Sequence, residues 1–151
     1  MPLSTATHDT LLNQIFRGAA ALAVTGPIRV HLHTADPGAA GTANEVSTAS
    51  WTNYAPAEIL ASGTTEPHFT NAADDGGGFR ATENLGAVSF GTATMDVPAT
   101  TVTVTHFTIK DAAGSPLYIG GNALAASRVI NDGDPVSFPT GTLRVRLGPA
   151  A

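Results

Sequence analysis

His31 and His33 stand two residues apart in Val30-His31-Leu32-His33. In an extended chain both imidazoles therefore leave the same face, roughly 7 Å apart along the strand. Two imidazoles so placed could bind a transition metal, and a third ligand would have to come from His68, His106, Asp36 or Glu45. None of these lies at a spacing that metal motifs share, so the reading favoured is a solvated strand face or a packing contact with a partner. Residues 71–78 bring Asp74 and Asp75 up against three glycines, but they lack the alternating acidic ligands and closing glutamate of a calcium loop. Asp132 and Asp134 flank Gly133, where turn chemistry accounts for both.

Other reaction classes find no foothold. There is no Gly-x-Ser-x-Gly elbow, and Ser115 sits in a turn before Pro116. Glu58, Glu66 and Glu83 form no recognisable acid/base pair, and no phosphate-cradling or dinucleotide-binding glycine motif is present. The chain has no cysteine, which removes thiolate nucleophiles, disulfides and cysteine-ligated zinc. A net charge of -5 with only seven Lys and Arg leaves too few cations for a phosphate backbone or an anionic membrane surface. The expectation is a chain without catalytic residues, cofactor or metal.

The elements that position these residues follow from period and punctuation. At 151 residues the chain has the length of one domain able to bury a sizeable core. Sixteen glycines and ten prolines break it too often for long helices. One helix is expected over about 8–17, with Thr7 as N-cap, Asp9 in the first turn, Arg17 in the last and Gly18 as C-cap. Its Leu11/Ile15 and Leu12/Phe16 pairs, each four apart, form an apolar stripe that must dock on the sheet or on another subunit.

From Ile28 the period is two. Ile28, Val30 and Leu32 alternate with Arg29, His31 and His33, and similar runs occur in YAPAEILA, LGAVSF, TVTVTHFTIK, PLYIGG, SRVI, PVSF and TLRVRLG. These make about eight strands, as in a two-sheet sandwich. In TVTVTHFTIK the apolar parity changes between Val104 and Phe107, which predicts a bulge or a crossing between sheets near Thr105 and His106. In the last run Leu143, Val145 and Leu147 face one way, Arg144 and Arg146 the other. Segments 36–50 and 70–84, rich in small polar residues, are expected to be long loops. The predicted architecture is an all-β, antiparallel two-sheet β-sandwich, jelly-roll-like, with one short N-terminal α-helix, forming a single domain over 1–151.

Trp51 and Tyr54 follow the first long loop and either anchor an interface or close the core. The candidate interaction surface therefore comprises Leu11, Leu12, Ile15, Phe16, His31, His33, Trp51, Tyr54, Arg144 and Arg146. The N-terminus lacks a basic region followed by an apolar core, so a soluble chain without a signal peptide is expected.

Taken in order, LLNQIFRG, VHLHTADPGAAGTANEVS, LGAVSFGTAT, VTHFTIKDAAGSPLYIGGNAL and INDGDPVSFPTGTLRVRLG resemble a family of small virion proteins of tailed bacteriophages, often labelled tail fibre or minor tail protein. The order of the segments, rather than any one of them, carries the resemblance. Similar sequences place Tyr-Ala-Arg where this chain has Tyr54, Ala55 and Pro56, and a Trp just before the VTH strand. The resemblance implies a non-enzymatic structural role on the virion, assembled in the host bacterial cytoplasm. Its implied partners are further copies of itself, as a closed trimer, and other virion proteins of the tail or the major capsid. Capsid decoration is the alternative location. A carbohydrate-binding module that uses Trp51 and Tyr54 on a host-surface glycan is the alternative from another class.

Overall fold

The computed structural model describes residues 5–17, 27–59, 67–74, 76, 80–95, 100–112 and 118–147. The expectations placed on Gly18, Glu66, Asp75 and Ser115 fall outside them. Among the described residues helix α1 (Thr5–Arg17) precedes ten strands: β1 (Ile28–His33), β2 (Ala57–Ile59), β3 (His68–Phe69), β4 (Ala73–Asp74), β5 (Arg80–Leu85), β6 (Val88–Thr92), β7 (Thr101–Asp111), β8 (Tyr118–Asn131), β9 (Pro135–Phe138) and β10 (Arg144–Leu147). One sheet has the order β2-β1-β7-β8. The opposing layer combines β10-β5-β3, with β4 also on β5, and the pair β6-β9. Every ladder is antiparallel, so the molecule is the sandwich-like all-β fold with one short helix that the two-residue period predicts.

Alternation sets the core. Val30 and Leu32 of β1, Val102 and Val104 of β7, Ile130 of β8 and Val136 of β9 are all buried in one cluster, and each such side chain contributes roughly 1.5–3 kcal/mol. The layers meet through aromatic rings. Phe107 lies 5.5 Å from Phe138, Phe138 6.2 Å from Phe90, and Phe90 6.4 Å from Tyr54.

The parity change in β7 is a bulge, as its sequence predicts, and the surplus residues lie on the partner strand. Val104 pairs with Arg128, whereas His106 pairs with Ala123. One residue of β7 thus spans the same stretch as residues 124–127 of β8, and β8 bows away from its neighbour. Two runs expected as separate strands, PLYIGG and SRVI, are joined through this bow into one.

Two other expectations are corrected. Segment 70–84 is not a continuous loop, because β4 and most of β5 fall within it. The β5 sequence Arg-Ala-Thr-Glu-Asn-Leu has little apolar alternation and is held by Asn84, which is fully buried. Asn84 exchanges backbone bonds with the 141–143 turn, accepts the Leu143 amide at its Oδ1 (2.8 Å), and donates from Nδ2 to the carbonyls of Gly86 (2.7 Å) and Pro139 (3.0 Å). The second correction concerns α1. It begins at Thr5, so Thr7 is inside the helix rather than capping it, and Asp9 is past the first turn. The Thr7 hydroxyl instead faces the carbonyls of Tyr118 (3.1 Å) and Ile119 (3.3 Å). The docked edge is thus Thr7, buried, with Leu11 and Gln14 half-buried, a 4-then-3 spacing that keeps them on one face.

Candidate functional site

The histidine face of β1 is not wet. Residues 34–46 fold back over it as a strap. Asn44 takes a left-handed conformation (φ 55°), which lets its carbonyl accept the Thr34 amide at 2.9 Å while its Nδ2 donates to the Asp36 carbonyl at 2.8 Å. The Val46 amide donates to the Leu32 carbonyl, and the Leu32 amide donates to Tyr54 Oη at 2.8 Å. Strap and tyrosine thus satisfy backbone groups of β1 beyond the end of its ladder with β2. Burial, ahead of every other influence, pushes the Tyr54 hydroxyl well above its usual range, so it remains a neutral donor and acceptor.

Beneath the strap His33 is fully buried. Its Nδ1 stands 2.8 Å from the Ala43 carbonyl, which can only accept, so Nδ1 carries the proton. The Thr108 hydroxyl then donates to Nε2, 2.9 Å away. His31 Nδ1 lies 2.7 Å from Glu45 Oε1, and the ammonium of buried Lys110 lies 3.5 Å from Glu45 Oε2. Burial raises the Glu45 carboxyl, but the His31 hydrogen bond and the charges of His31, Lys110 and His33 outweigh it and hold the group below its ordinary value. Burial lowers His33 most, with Lys110 and His31 adding to it against the opposing pull of the Ala43 carbonyl and Glu45.

Of the third ligands considered, Glu45 reaches His31, His106 pairs across from His33 but turns its Nδ1 to Thr105 Oγ1 at 2.8 Å, and His68 lies on β3 in the other layer. No group of three potential ligands capable of holding a metal occurs among the described residues. The cluster is an ionic and hydrogen-bonded clasp for the strap. Sequence reasoning weighed Glu45 only as a ligand and passed over Thr108 and Lys110. Their parity opposite Phe107 and Ile109 was the available signal.

Asp36 and Asp74 are turn formers, each accepting the amide two residues on, at Gly38 and Gly76 (2.8 Å both). Trp51 is 0% exposed and Tyr54 is buried beside it, with ring centroids 5.4 Å apart. The expectation that they present a surface gives way to the other reading, closure of the core. Trp51 Nε1 donates to Asn53 Oδ1 at 2.6 Å, which satisfies the one polar atom that burial would strand. His33 leaves the candidate surface for the same reason.

Arg144 and Arg146 are exposed on β10, Arg144 with its Nε 3.9 Å from Glu83 Oε2 across the ladder. Leu12 and Phe16 are exposed at 55% and 78%, and the side chain of Ile15 lies outside the described residues. The bow in β8 opens a cleft of about 430 Å³ between β8 and β9, floored by Phe107, Ile130, Val136 and Phe138 and walled in part by Ala125 and Arg128. The unbroken run of Ala and Leu at 123–126, lacking any two-residue period, was its only trace in the sequence.

An antiparallel sandwich with an ordered clasp, an exposed helix ridge and an apolar cleft defines a small β module equipped for contact. Residues 2–146 match the family model of the Podophage GP4 fiber I protein gp80, and the chain belongs to that phage-fibre family. No curated protein matches the chain. No helix among the described residues is long and apolar enough to cross a membrane.

Proposed function

We propose that the protein is a non-enzymatic structural component of a tailed-phage virion, of tail-fibre type, assembled in the host bacterial cytoplasm. It stands on the particle as a homo-oligomer, a closed trimer, in contact with other virion proteins. The family match over residues 2–146 carries this reading. The geometry supports it: the buried His33 and Lys110 and the half-buried Glu45 are engaged in holding a strap rather than converging on an open cleft. With Trp51 and Tyr54 in the core, nothing favours a sugar platform built on them.

Quantitative mass spectrometry of purified particles, with a cryo-EM map, tests the proposal. Tail-fibre placement gives a small copy number and density at the tail, whereas a shell protein is present in hundreds of copies on the capsid. Density on the capsid, or absence from the particle, rejects the tail-fibre reading.

A further inference from the structure

We propose that the Asp9–Leu12–Phe16 face of α1 in one copy seats in the β8–β9 cleft of a second copy. This rests on the homo-oligomer reading above and supplies its contact. Residues 9, 12 and 16 are spaced three and four apart, so they form one ridge, and all three are exposed. The ridge is available because the opposite edge of the helix, through Thr7, is committed to the Tyr118 and Ile119 carbonyls of its own β8. A helix so docked turns Leu12 and Phe16 outward, and adjacent large apolar side chains left in water mark a contact surface.

The cleft has the complementary character. The residues that β8 carries in excess of β7 lift it off the ladder and leave a cleft lined by the aromatic and aliphatic side chains of Phe107, Ile130, Val136 and Phe138. Its volume of about 430 Å³ is that of a ligand-sized pocket. The charges match as well. The chain is acidic overall with only seven Lys and Arg, yet Arg128 lines this cleft, beside Arg144, which already faces Glu83. Arg128 directs one guanidinium nitrogen to the Pro135 carbonyl at 3.0 Å, and a guanidinium has five N–H donors. Asp9, one turn before Leu12, supplies the carboxylate. Since ridge and cleft are different surfaces, the contact is heterologous: each copy gives one and receives one, and a ring closes when the rotation permits.

The test uses the full chain and two single-sided variants, Phe16→Asp on the ridge and Ala125→Trp in the cleft, sized by light scattering and native mass spectrometry. The expected result is an oligomeric wild type and two variants that are monomers with wild-type circular dichroism and a cooperative unfolding transition. Mixing the variants then gives a one-to-one dimer, because the intact ridge of Ala125→Trp enters the intact cleft of Phe16→Asp. A charge swap guards against misfolding: Arg128→Glu weakens assembly at least tenfold and Asp9→Arg in the same chain restores it. A wild type that is oligomeric while both variants keep its size overturns the ridge-in-cleft contact and leaves the homo-oligomer standing. A wild type that stays monomeric at high concentration overturns both.

Discussion

Thr108 Oγ1 stands 2.9 Å from His33 Nε2, although His33 pairs across the ladder with His106 and Thr108 with His31. The bond is therefore diagonal, between neighbours two residues out of register on one face. Together with the Ala43 carbonyl it fixes the imidazole as the neutral Nδ1–H tautomer.

Acid should loosen the strap in two stages. Because burial lowers His33 below 6.5, the unfolded chain takes up that proton first. The stability from neutral His33 is complete above 6.5 and is lost as pH falls through the lower folded value. Glu45, held below 4.5, contributes in the same direction, and its share is complete above 4.5 and lost on further acidification. Melting temperature is expected to hold from pH 7.5 to about 6.5 and to drop below it, with amides of residues 34–46 exchanging first. His33→Gln is expected to cost about 1–3 kcal/mol at pH 7.5 through unsatisfied buried partners, and to abolish the first stage alone. Identical pH profiles for variant and wild type would exclude His33 as its source.

Asn84 joins β5 to the turn before β10 by its side chain as well as its backbone. Asn84→Ala leaves the Leu143 amide and two carbonyls without that partner, a loss of at least about 2 kcal/mol in urea unfolding. Asn84→Asp is expected to be no better, since its oxygen would face the Gly86 and Pro139 carbonyls that Nδ2 now serves. A loss below about 0.5 kcal/mol would show that water replaces the side chain there.

Trp51→Ala is expected to cost about 3–5 kcal/mol, as for other buried aromatic truncations. The chain has one tryptophan, so wild-type emission should be blue-shifted when folded and resistant to acrylamide. Emission of a solvent-exposed indole in the native state would contradict the burial on which this rests.

Gly121 lies opposite Thr108 in the β7–β8 ladder, and a Cβ built on it would come within 2.6 Å of the Phe107 carbonyl oxygen. Since that atom is backbone, the ladder itself must give. Gly121→Ala is expected to lose about 1–3 kcal/mol by overpacking. Chemical denaturation at unchanged slope checks it, and a neutral result would mean that β8 shifts freely at this point.

Much of this architecture is legible as period two. Ile28 to His33 became β1, and the parity change between Val104 and Phe107 marked the bulge, because each depends on local side-chain alternation. Strand β5 was hidden because its pairing rests on Asn84 and the 139–143 turn rather than on apolar alternation. The burial of His33 and the partial covering of His31 were also out of reach, since alternation tells which residues share a face but not which loop later covers it. Trp51 and Tyr54 posed the same difficulty: an aromatic after a loop reads alike whether the chain turns it inward or outward. The cleft arises from a mismatch in length between paired strands, a property of two segments together and of neither alone.

The position of β1 between β2 and β7 bears on how the molecule carries load. A pull along β1 works against ladders on both of its flanks, the one with β7 six residue pairs long, so many bonds resist in parallel. A pull that peels β10 from β5 meets four pairs on a single flank, broken one after another. Traction entering through the first strand is thus shared between two ladders, whereas traction on β10 falls on one.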